Sequence, residues 1–419
     1  MIFLIENIFL FLGIFAILLY VWMSKVSQKK IVVDHVVLLF FGFIFYFYFP
    51  MFSFLNDNFT NDLQKISFYE LSKPNRQNIS LIFLGLILVT IFADIKSKKL
   101  NLYPSRLGTP STLALLIILV TLTIMLSKVI IQMIPFMFSS YDSADWIRGV
   151  RGPFLSYIVV LITMSCMYLS NRKSLKMRDF LNIFTIFAFI FSLMNLLSGN
   201  RGFFITLIVS IVIAASHHWK GVRIERIFII FLLGVLVAGI IGMTRRGGLE
   251  GVDGDFFSMF TTIRYQFLAE SANVFTSLVQ YMNLEFANIN LIEFPKTLLS
   301  QFINIIPSFI FPSKFDYISI DIRSPYFLAS SHFFVILAVN FGLIGSFIFF
   351  YYFVNILNYI KIKYRLTGIY IAISAYIPFM FFRDFELTLV KFMFEFSFIF
   401  AVIVLISGNT LKTIFKKTE

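Results

Sequence analysis

The segment NLLSGNRGFFITLIV, residues 195–209, holds two apolar runs apart by only five polar or small residues, 198–202. A permanently charged arginine, Arg201, lies at the apex of this turn. An apolar run of about eighteen or more residues crosses a hydrocarbon core of roughly 30 Å as a helix. The continuation of apolar sequence on both sides of the turn therefore predicts two consecutive transmembrane helices.

The composition of the whole chain supports the same interpretation. Of its 419 residues, 59% are hydrophobic and only 14% are charged, which excludes a water-soluble domain of ordinary composition. We predict an all-α polytopic membrane protein with about eleven transmembrane helices. Their approximate cores are residues 2–23, 32–52, 78–95, 111–136, 154–170, 180–197, 203–217, 226–243, 333–357, 368–382 and 388–408.

Basic residues alternate between the connections of these predicted spans. The odd-numbered connections and the C-terminal tail are short and basic, whereas the even-numbered ones carry few basic residues for their length. Since Lys and Arg are retained in short cytoplasmic loops, we predict the N-terminus outside and the C-terminus in the cytoplasm. The same rule accounts for the net charge of +13 without a nucleic-acid partner. The basic residues of the odd connections are Lys25, Lys29, Lys30, Lys96, Lys98, Lys99, Arg106, Arg172, Lys173, Lys176, Arg178, Lys220, Arg223, Arg226, Lys361, Lys363 and Arg365.

The chain divides into three predicted parts. Residues 1–243 hold transmembrane helices 1–8, residues 244–325 form one large external loop, and residues 326–419 hold helices 9–11 and a basic cytoplasmic tail. Within the loop, apolar residues recur at helical spacing between 298 and 306, which predicts a helix that lies in the membrane interface. A long structured loop at the mouth of a helix bundle is a common place for a functional site.

Several polar residues lie inside or beside the predicted spans. The single cysteine, Cys166, excludes an intrachain disulfide, and the four histidines lack the spacing of metal ligands, so we predict no metal and no cofactor. The Asp-Gly-Asp triplet at 253–255 has the spacing of a metal-binding motif, but its central glycine favours a turn. Asp34 and His35, at the start of the second span, are expected on the cytoplasmic surface.

Arginines gather on the predicted outer side. A guanidinium group binds phosphate oxygens in a bidentate manner and stays charged at any physiological pH. A lone arginine in an outer turn can also simply reach lipid headgroups, but arginines from separate connections favour a shared anionic ligand. We predict a polyprenyl-diphosphate sugar at the outer leaflet. The outer residues singled out are Arg201, Arg245, Arg246, Arg323 and Arg383, together with His332.

Four short motifs carry a family resemblance. LLSGNRGFFITL, IIPSFIFPSKFDY, SSHFFVILAVNFGLIGSFIFF and FFRDFE occur in this order between residues 196 and 386. The first resembles the small-Gly-x-Arg-Gly turn of bacterial oligosaccharide repeat-unit polymerases, the O-antigen polymerase-like proteins. The others are similar to the Pro-aromatic-Pro-x-Lys stretch, the polar residue with a Gly-x-x-Gly step, and the late Arg-Asp turn of the same family.

The resemblance implies a metal-independent glycosyltransferase of GT-C-like architecture in the bacterial cytoplasmic membrane, with its active site facing outside. Its substrates would be polyprenyl-diphosphate-linked oligosaccharides within the lipid bilayer, and its partners a flippase and a chain-length regulator of the same pathway. An O-antigen ligase and a lipid-linked oligosaccharide flippase remain the alternatives.

The resemblance also implies roles for individual residues. Arg201 and Arg383 match family turns and would contact the diphosphate. His332 is the candidate catalytic base, and Asp384 and Glu386 compete for that role or bind substrate. From their position alone, three further arginines would contribute to substrate binding: Arg245, Arg246 and Arg323.

Overall fold

The structure is a computed structural model. It describes residues 7–55, 73–98, 112–135, 151–198, 201–227, 229–230, 233, 271–272, 274–284, 288–304, 306, 311, 313, 332–364, 368–383 and 402. Its helices are α1 (Ile8–Lys25), α2 (His35–Phe43), α3 (Phe49–Leu55), α4 (Lys73–Ser97), α5 (Thr112–Met125), α6 (Ser127–Met133), α7 (Arg151–Ser170), α8 (Ile183–Leu197), α9 (Gly202–His218), α10 (Lys296–Asn304), α11 (Phe333–Lys363) and α12 (Ile369–Ala375). A further helical stretch covers 274–284.

Shorter elements join or follow these helices. A π-helical turn, Ile44–Tyr48, connects α2 to α3, and a second one, Ile377–Phe381, continues α12. A 3-10 helix, Met177–Leu181, precedes α8. Side chains of polar residues cap helix starts: Asp34 accepts from the backbone N–H of Val37 before α2, and Asn182 accepts from that of Thr185 before α8.

Among the described residues, five helices are long and apolar enough to cross a membrane, namely Ile8–Lys25, His35–Phe52, Pro74–Ser97, Gly152–Ser170 and Phe333–Lys363. The coarse prediction of an α-helical membrane protein is thereby confirmed. The helices α8 and α9, of 15 and 17 residues, are also apolar and coincide with predicted spans. The predicted span 388–408 and most of the span 226–243 lie outside the described residues.

Two features differ from the prediction. The predicted span 111–136 consists of α5 and α6, which are bent by 62° against each other. Three two-residue strands also occur among the described residues, although the fold is otherwise helical, as an all-α prediction requires. The strands β1 (Val26–Ser27), β2 (Lys30–Ile31) and β3 (Val222–Arg223) form an antiparallel sheet in the order β1-β2-β3. Its strands come from connections distant in sequence, which is why helix periodicity did not predict it.

The described parts of the predicted odd connections meet at one end of the bundle, which we call the basic end: residues 25–34, 94–98, 171–181, 217–223, 361–364 and 368. The β-sheet joins the first connection to the seventh. The Trp219 indole N–H donates to the Leu175 carbonyl at 2.8 Å and so joins the seventh connection to the fifth. The alternation of basic residues therefore predicted correctly which connections lie together.

The opposite end, which we call the loop end, gathers residues 73–76, 201–202, 282–284 and 288–304. The side-chain amide of Asn75 donates to the Met282 carbonyl at 3.2 Å and to the side chain of Asn283 at 2.9 Å. These bonds join the start of α4 to the large predicted loop. Part of that loop therefore packs on the bundle itself.

Phenylalanine rings fill the centre between the two ends. The Phe43 ring centroid lies 5.4 to 5.9 Å from four other phenylalanine rings, mostly in tilted or edge-to-face arrangements. All five side chains are fully buried. The four neighbours are Phe83 of α4, Phe333 and Phe350 of α11, and Phe382 after α12.

Candidate functional site

His332 opens α11, as the prediction of a histidine at a span start required. Its Nδ1 accepts from the backbone N–H of Phe334 at 3.2 Å, and its own backbone N–H donates to Ser277 Oγ at 2.8 Å. The histidine is fully buried, and its ring centroid lies 5.5 Å from that of Phe83. Since Phe83 is in the middle of α4, His332 lies well inside the bundle.

The position of His332 follows from a break in α11 at Gly342. The backbone of Gly342 has φ 72° and ψ −175°, outside the helical region. The rings of Phe333 and Phe350 have centroids 6.1 Å apart, whereas a straight helix would separate these two positions by about 25 Å. The first half of α11 therefore bends sharply back toward the second half and brings His332 to mid-bundle depth.

A short segment of the predicted external loop satisfies the backbone at this break. The N–H groups of Leu343 and Ile344 donate to the carbonyls of Asn290 and Leu291 at 3.0 and 2.9 Å. In the other direction, the Glu293 N–H donates to the Phe341 carbonyl at 3.0 Å. Helix ends leave backbone groups without intrahelical partners, and these three bonds satisfy them. The loop is thereby attached to the helix that carries His332.

The interfacial helix predicted from the loop is also attached here. The side-chain oxygen of Asn340 accepts from Thr297 Oγ1 at 2.7 Å and from the Leu298 N–H at 2.8 Å, at the start of α10. Thr297 and Leu298 are buried, while Leu299 and Phe302 are exposed. One apolar face of α10 is therefore open, as expected of a helix in the membrane interface.

Arg383 and His332 belong to different connections. Each is adjacent in sequence to a phenylalanine, and the rings of these two phenylalanines are in contact. Phe333 follows His332, Phe382 precedes Arg383, and the centroids of these two phenylalanines are 4.8 Å apart. Arg383 is half-buried, with its Nε atom shielded from solvent. The fold thus brings two of the predicted catalytic residues into one region.

Arg201 lies at the start of a neighbouring helix. It occupies the N-cap position of α9 and is half-buried. The ring of Phe203, in the first turn of α9, lies 6.0 Å from the ring of Tyr376, which precedes the π-helical turn leading to Arg383. The start of α9, which follows Arg201, therefore packs against the segment that leads to Arg383. The other predicted site residues lie outside the described residues: Arg245, Arg246, Arg323, Asp384 and Glu386.

The prediction that Asp34 and His35 are surface residues is wrong. Both are fully buried at the basic end. The Lys25 ammonium lies 2.8 Å from an oxygen of Asp34 and 2.8 Å from an oxygen of Asp94, and Lys361 also binds Asp34. Three helices and the start of a fourth meet in this network, because the carboxylates are inside the bundle and require cationic partners.

The charges of the network keep Asp34 ionised. Burial by itself would raise the pKa of the Asp34 carboxyl, but Lys361 and Lys25 outweigh burial and hold that pKa well below its ordinary range. The resulting stabilisation is present above the pKa of an unfolded aspartate and is lost only as the pH falls through the lower folded value. The ion network is therefore intact at neutral pH.

Two aromatic hydroxyls extend the network. The Tyr20 hydroxyl donates to Asp94, and the Tyr370 hydroxyl lies 2.8 Å from Nδ1 of His35. One signal in the sequence pointed to this site: Asp94 ends an otherwise apolar run, and an ionisable residue inside a span requires a partner. The sequence did not identify the cationic partners at this site, because Lys25 and Lys361 belong to other helices.

Comparisons with models of protein families, with curated proteins and with solved structures find no match for this chain. The class is therefore defined by the fold itself. The described part is an α-helical membrane protein with His332 and Arg383 near the middle of the bundle, Arg201 at the start of α9, and a buried ion network at the basic end. Guanidinium groups beside an aromatic interior suit a ligand that has an anionic group and an apolar chain.

Proposed function

We propose that this chain polymerises polyprenyl-diphosphate-linked oligosaccharide repeat units on the outer face of the bacterial cytoplasmic membrane. It would act as a metal-independent glycosyltransferase of GT-C-like architecture in the synthesis of a surface polysaccharide. The observation that supports the proposal is the contact between Phe333 and Phe382, which are the sequence neighbours of His332 and Arg383. Both belong to motifs that resemble the polymerase family.

In the proposed reaction the growing glycan on polyprenyl diphosphate is the donor. A hydroxyl at the non-reducing end of an incoming lipid-linked unit attacks the anomeric carbon, and the bond from that carbon to the diphosphate oxygen breaks. Arg201 and Arg383 neutralise the charge that develops on the departing diphosphate. A base accepts the hydroxyl proton, and polyprenyl diphosphate leaves.

The buried ion network favours a polymerase over a flippase. Alternating access requires each end of the bundle to open in turn. Opening the basic end would separate Lys25 from Asp34 and Asp94, and an uncompensated buried charge costs about 3–5 kcal/mol. A bundle whose basic end stays closed suits a polymerase, and it suits an O-antigen ligase equally well.

The test is a gel profile of the surface glycan from cells that lack this chain. A single lipid-linked repeat unit in place of a ladder is the expected result for a polymerase. Full-length polymer that stays on the lipid carrier would identify the ligase instead. Single units confined to the inner leaflet would identify the flippase, and an unchanged ladder on the final acceptor would refute all three.

A further inference from the structure

The two ring nitrogens of His332 have different surroundings. Nδ1 accepts a hydrogen bond from the backbone N–H of Phe334 at 3.2 Å. Because a backbone N–H can only donate, Nδ1 carries no proton in this arrangement. In a neutral imidazole the proton is then on the other nitrogen, Nε2. The helix start therefore selects the tautomer of His332 that presents a donor at Nε2.

The Nε2 atom of His332 is buried and, within the part of the chain that the structure describes, has no hydrogen-bond partner. The ring instead contacts Phe83 and Phe333, with centroids 5.5 and 4.9 Å away. A buried donor left without an acceptor costs about 1–3 kcal/mol. An acceptor supplied by a ligand would remove that cost.

The same contacts disfavour a role for His332 as a base. To accept a proton through Nδ1, the ring would have to release the Phe334 N–H. Nε2 already carries the proton, so it cannot accept one from a sugar hydroxyl.

We propose that His332 binds an oxygen of the substrate diphosphate as a hydrogen-bond donor through Nε2, and that it is not the catalytic base. This inference rests on the proposed function. The nine-residue first half of α11, 333–341, also presents its positive end at this place, which favours an anion. Arg383, one residue from the ring that touches Phe333, supplies the charge that a diphosphate requires.

Two substitutions separate the roles of the two nitrogens. His332→Asn keeps an acceptor for the Phe334 N–H, because asparagine is a good N-cap residue, but it loses the donor at the Nε2 position. His332→Gln places an amide N–H near that position and loses the cap. The matched pair therefore distinguishes ligand binding from helix capping.

The experiment measures binding of undecaprenyl diphosphate to the full chain in lipid nanodiscs, with unlabelled inorganic pyrophosphate as competitor. Loss of one hydrogen bond to a charged group corresponds to about a 10- to 100-fold weaker affinity. We expect this loss in His332→Asn, and we expect affinity within about fivefold of the wild type in His332→Gln. Competition by pyrophosphate would show that the diphosphate itself occupies the site.

Wild-type affinity in His332→Asn, whether or not turnover is lost, would overturn the proposal. Equal loss of affinity in both variants would also overturn it, since Gln would then fail to replace the donor. The result is separable from the proposed function. Donor-dependent binding in the purified chain, together with a normal polymer ladder in cells that lack it, would refute the polymerase and leave the diphosphate site intact.

Discussion

Arg201 is half-buried at the N-cap position of α9, although its side chain makes no capping hydrogen bond. Arginine does not favour this position, where Ser, Thr, Asp and Asn are preferred. The residue is therefore not explained by helix capping. Its half-buried position at the start of a helix agrees with a role in holding an anion.

Arg201→Ala is expected to abolish polymer formation while the protein still inserts into the membrane. Arg201→Lys should recover little, because lysine has the charge without the bidentate geometry. The measurement is the glycan ladder of cells that express each variant at equal level. Arg223→Ala is the matched control, since Arg223 is an exposed arginine at the basic end and should leave the ladder unchanged. A normal ladder in Arg201→Ala would contradict the site assignment.

Lys25 holds two buried carboxylates at 2.8 Å and is itself 5% exposed. Lys25→Met is expected to lower the free energy of unfolding by about 3–5 kcal/mol, because Asp34 and Asp94 lose a buried cationic partner. Denaturant unfolding of the purified protein in detergent measures the change.

Lys98→Met is the matched control for this substitution. Lys98 lies 3.8 Å from the same Asp94, but its side chain is 52% exposed. Water screens such a pair, so its removal should change the free energy of unfolding by less than about 1 kcal/mol. Equal effects of the two substitutions would show that burial does not determine the strength of the network.

The predicted site depends on α11, the helix that begins directly after His332. Its 31 residues would suffice for one long span, yet the break at Gly342 turns the first half inward. The loop segment that carries Asn290 and Leu291 forms backbone hydrogen bonds to the break. A substitution at this point therefore tests whether the loop and His332 are positioned together.

Gly342→Ala is expected to destabilise the fold by about 2 kcal/mol or more, since the new Cβ would lie 2.5 Å from the Asn290 carbonyl oxygen and the residue has a positive φ. Thermal unfolding and polymer formation should both decline. Gly152→Ala in α7 is the control, because nothing lies within 4 Å of its Cβ position, and alanine there should be neutral or stabilising by up to about 1 kcal/mol. Wild-type stability in Gly342→Ala would contradict the described break.

The helix bundle has two chemically different ends. The basic end carries most of the charge in the described part and is joined by ion pairs, whereas α9 begins after Arg201 at the loop end. The positive-inside rule assigns the basic end to the cytoplasm. The structure shows that the basic connections lie together. Labelling from one side of the membrane tests which compartment they face.

Single cysteines introduced at the two ends are expected to react from opposite sides of the membrane. The natural Cys166 is buried, so its background labelling should be low. Asn288→Cys at the loop end should react with a membrane-impermeant maleimide in intact cells. Lys29→Cys at the basic end should react only after permeabilisation. Both positions are exposed. The reverse pattern would invert the predicted topology.

The positions of the apolar helices were predictable from the chain, because a run of apolar residues is a local property. The predicted cores 78–95 and 154–170 fall within α4 and α7. The charge alternation likewise predicted which connections share an end. The turn at Arg201 and the helix start at His332 were also identified correctly from local patterns.

The depth of the polar residues and their contacts depend instead on how distant segments pack together. Asp34 was expected at the surface, but it is buried because Lys361, 327 positions away, and Lys25 neutralise it. The break in α11 likewise depends on the carbonyls of Asn290 and Leu291, which lie outside the sequence of α11. A buried charge or an open helix end is stable only when distant parts of the chain supply its partners.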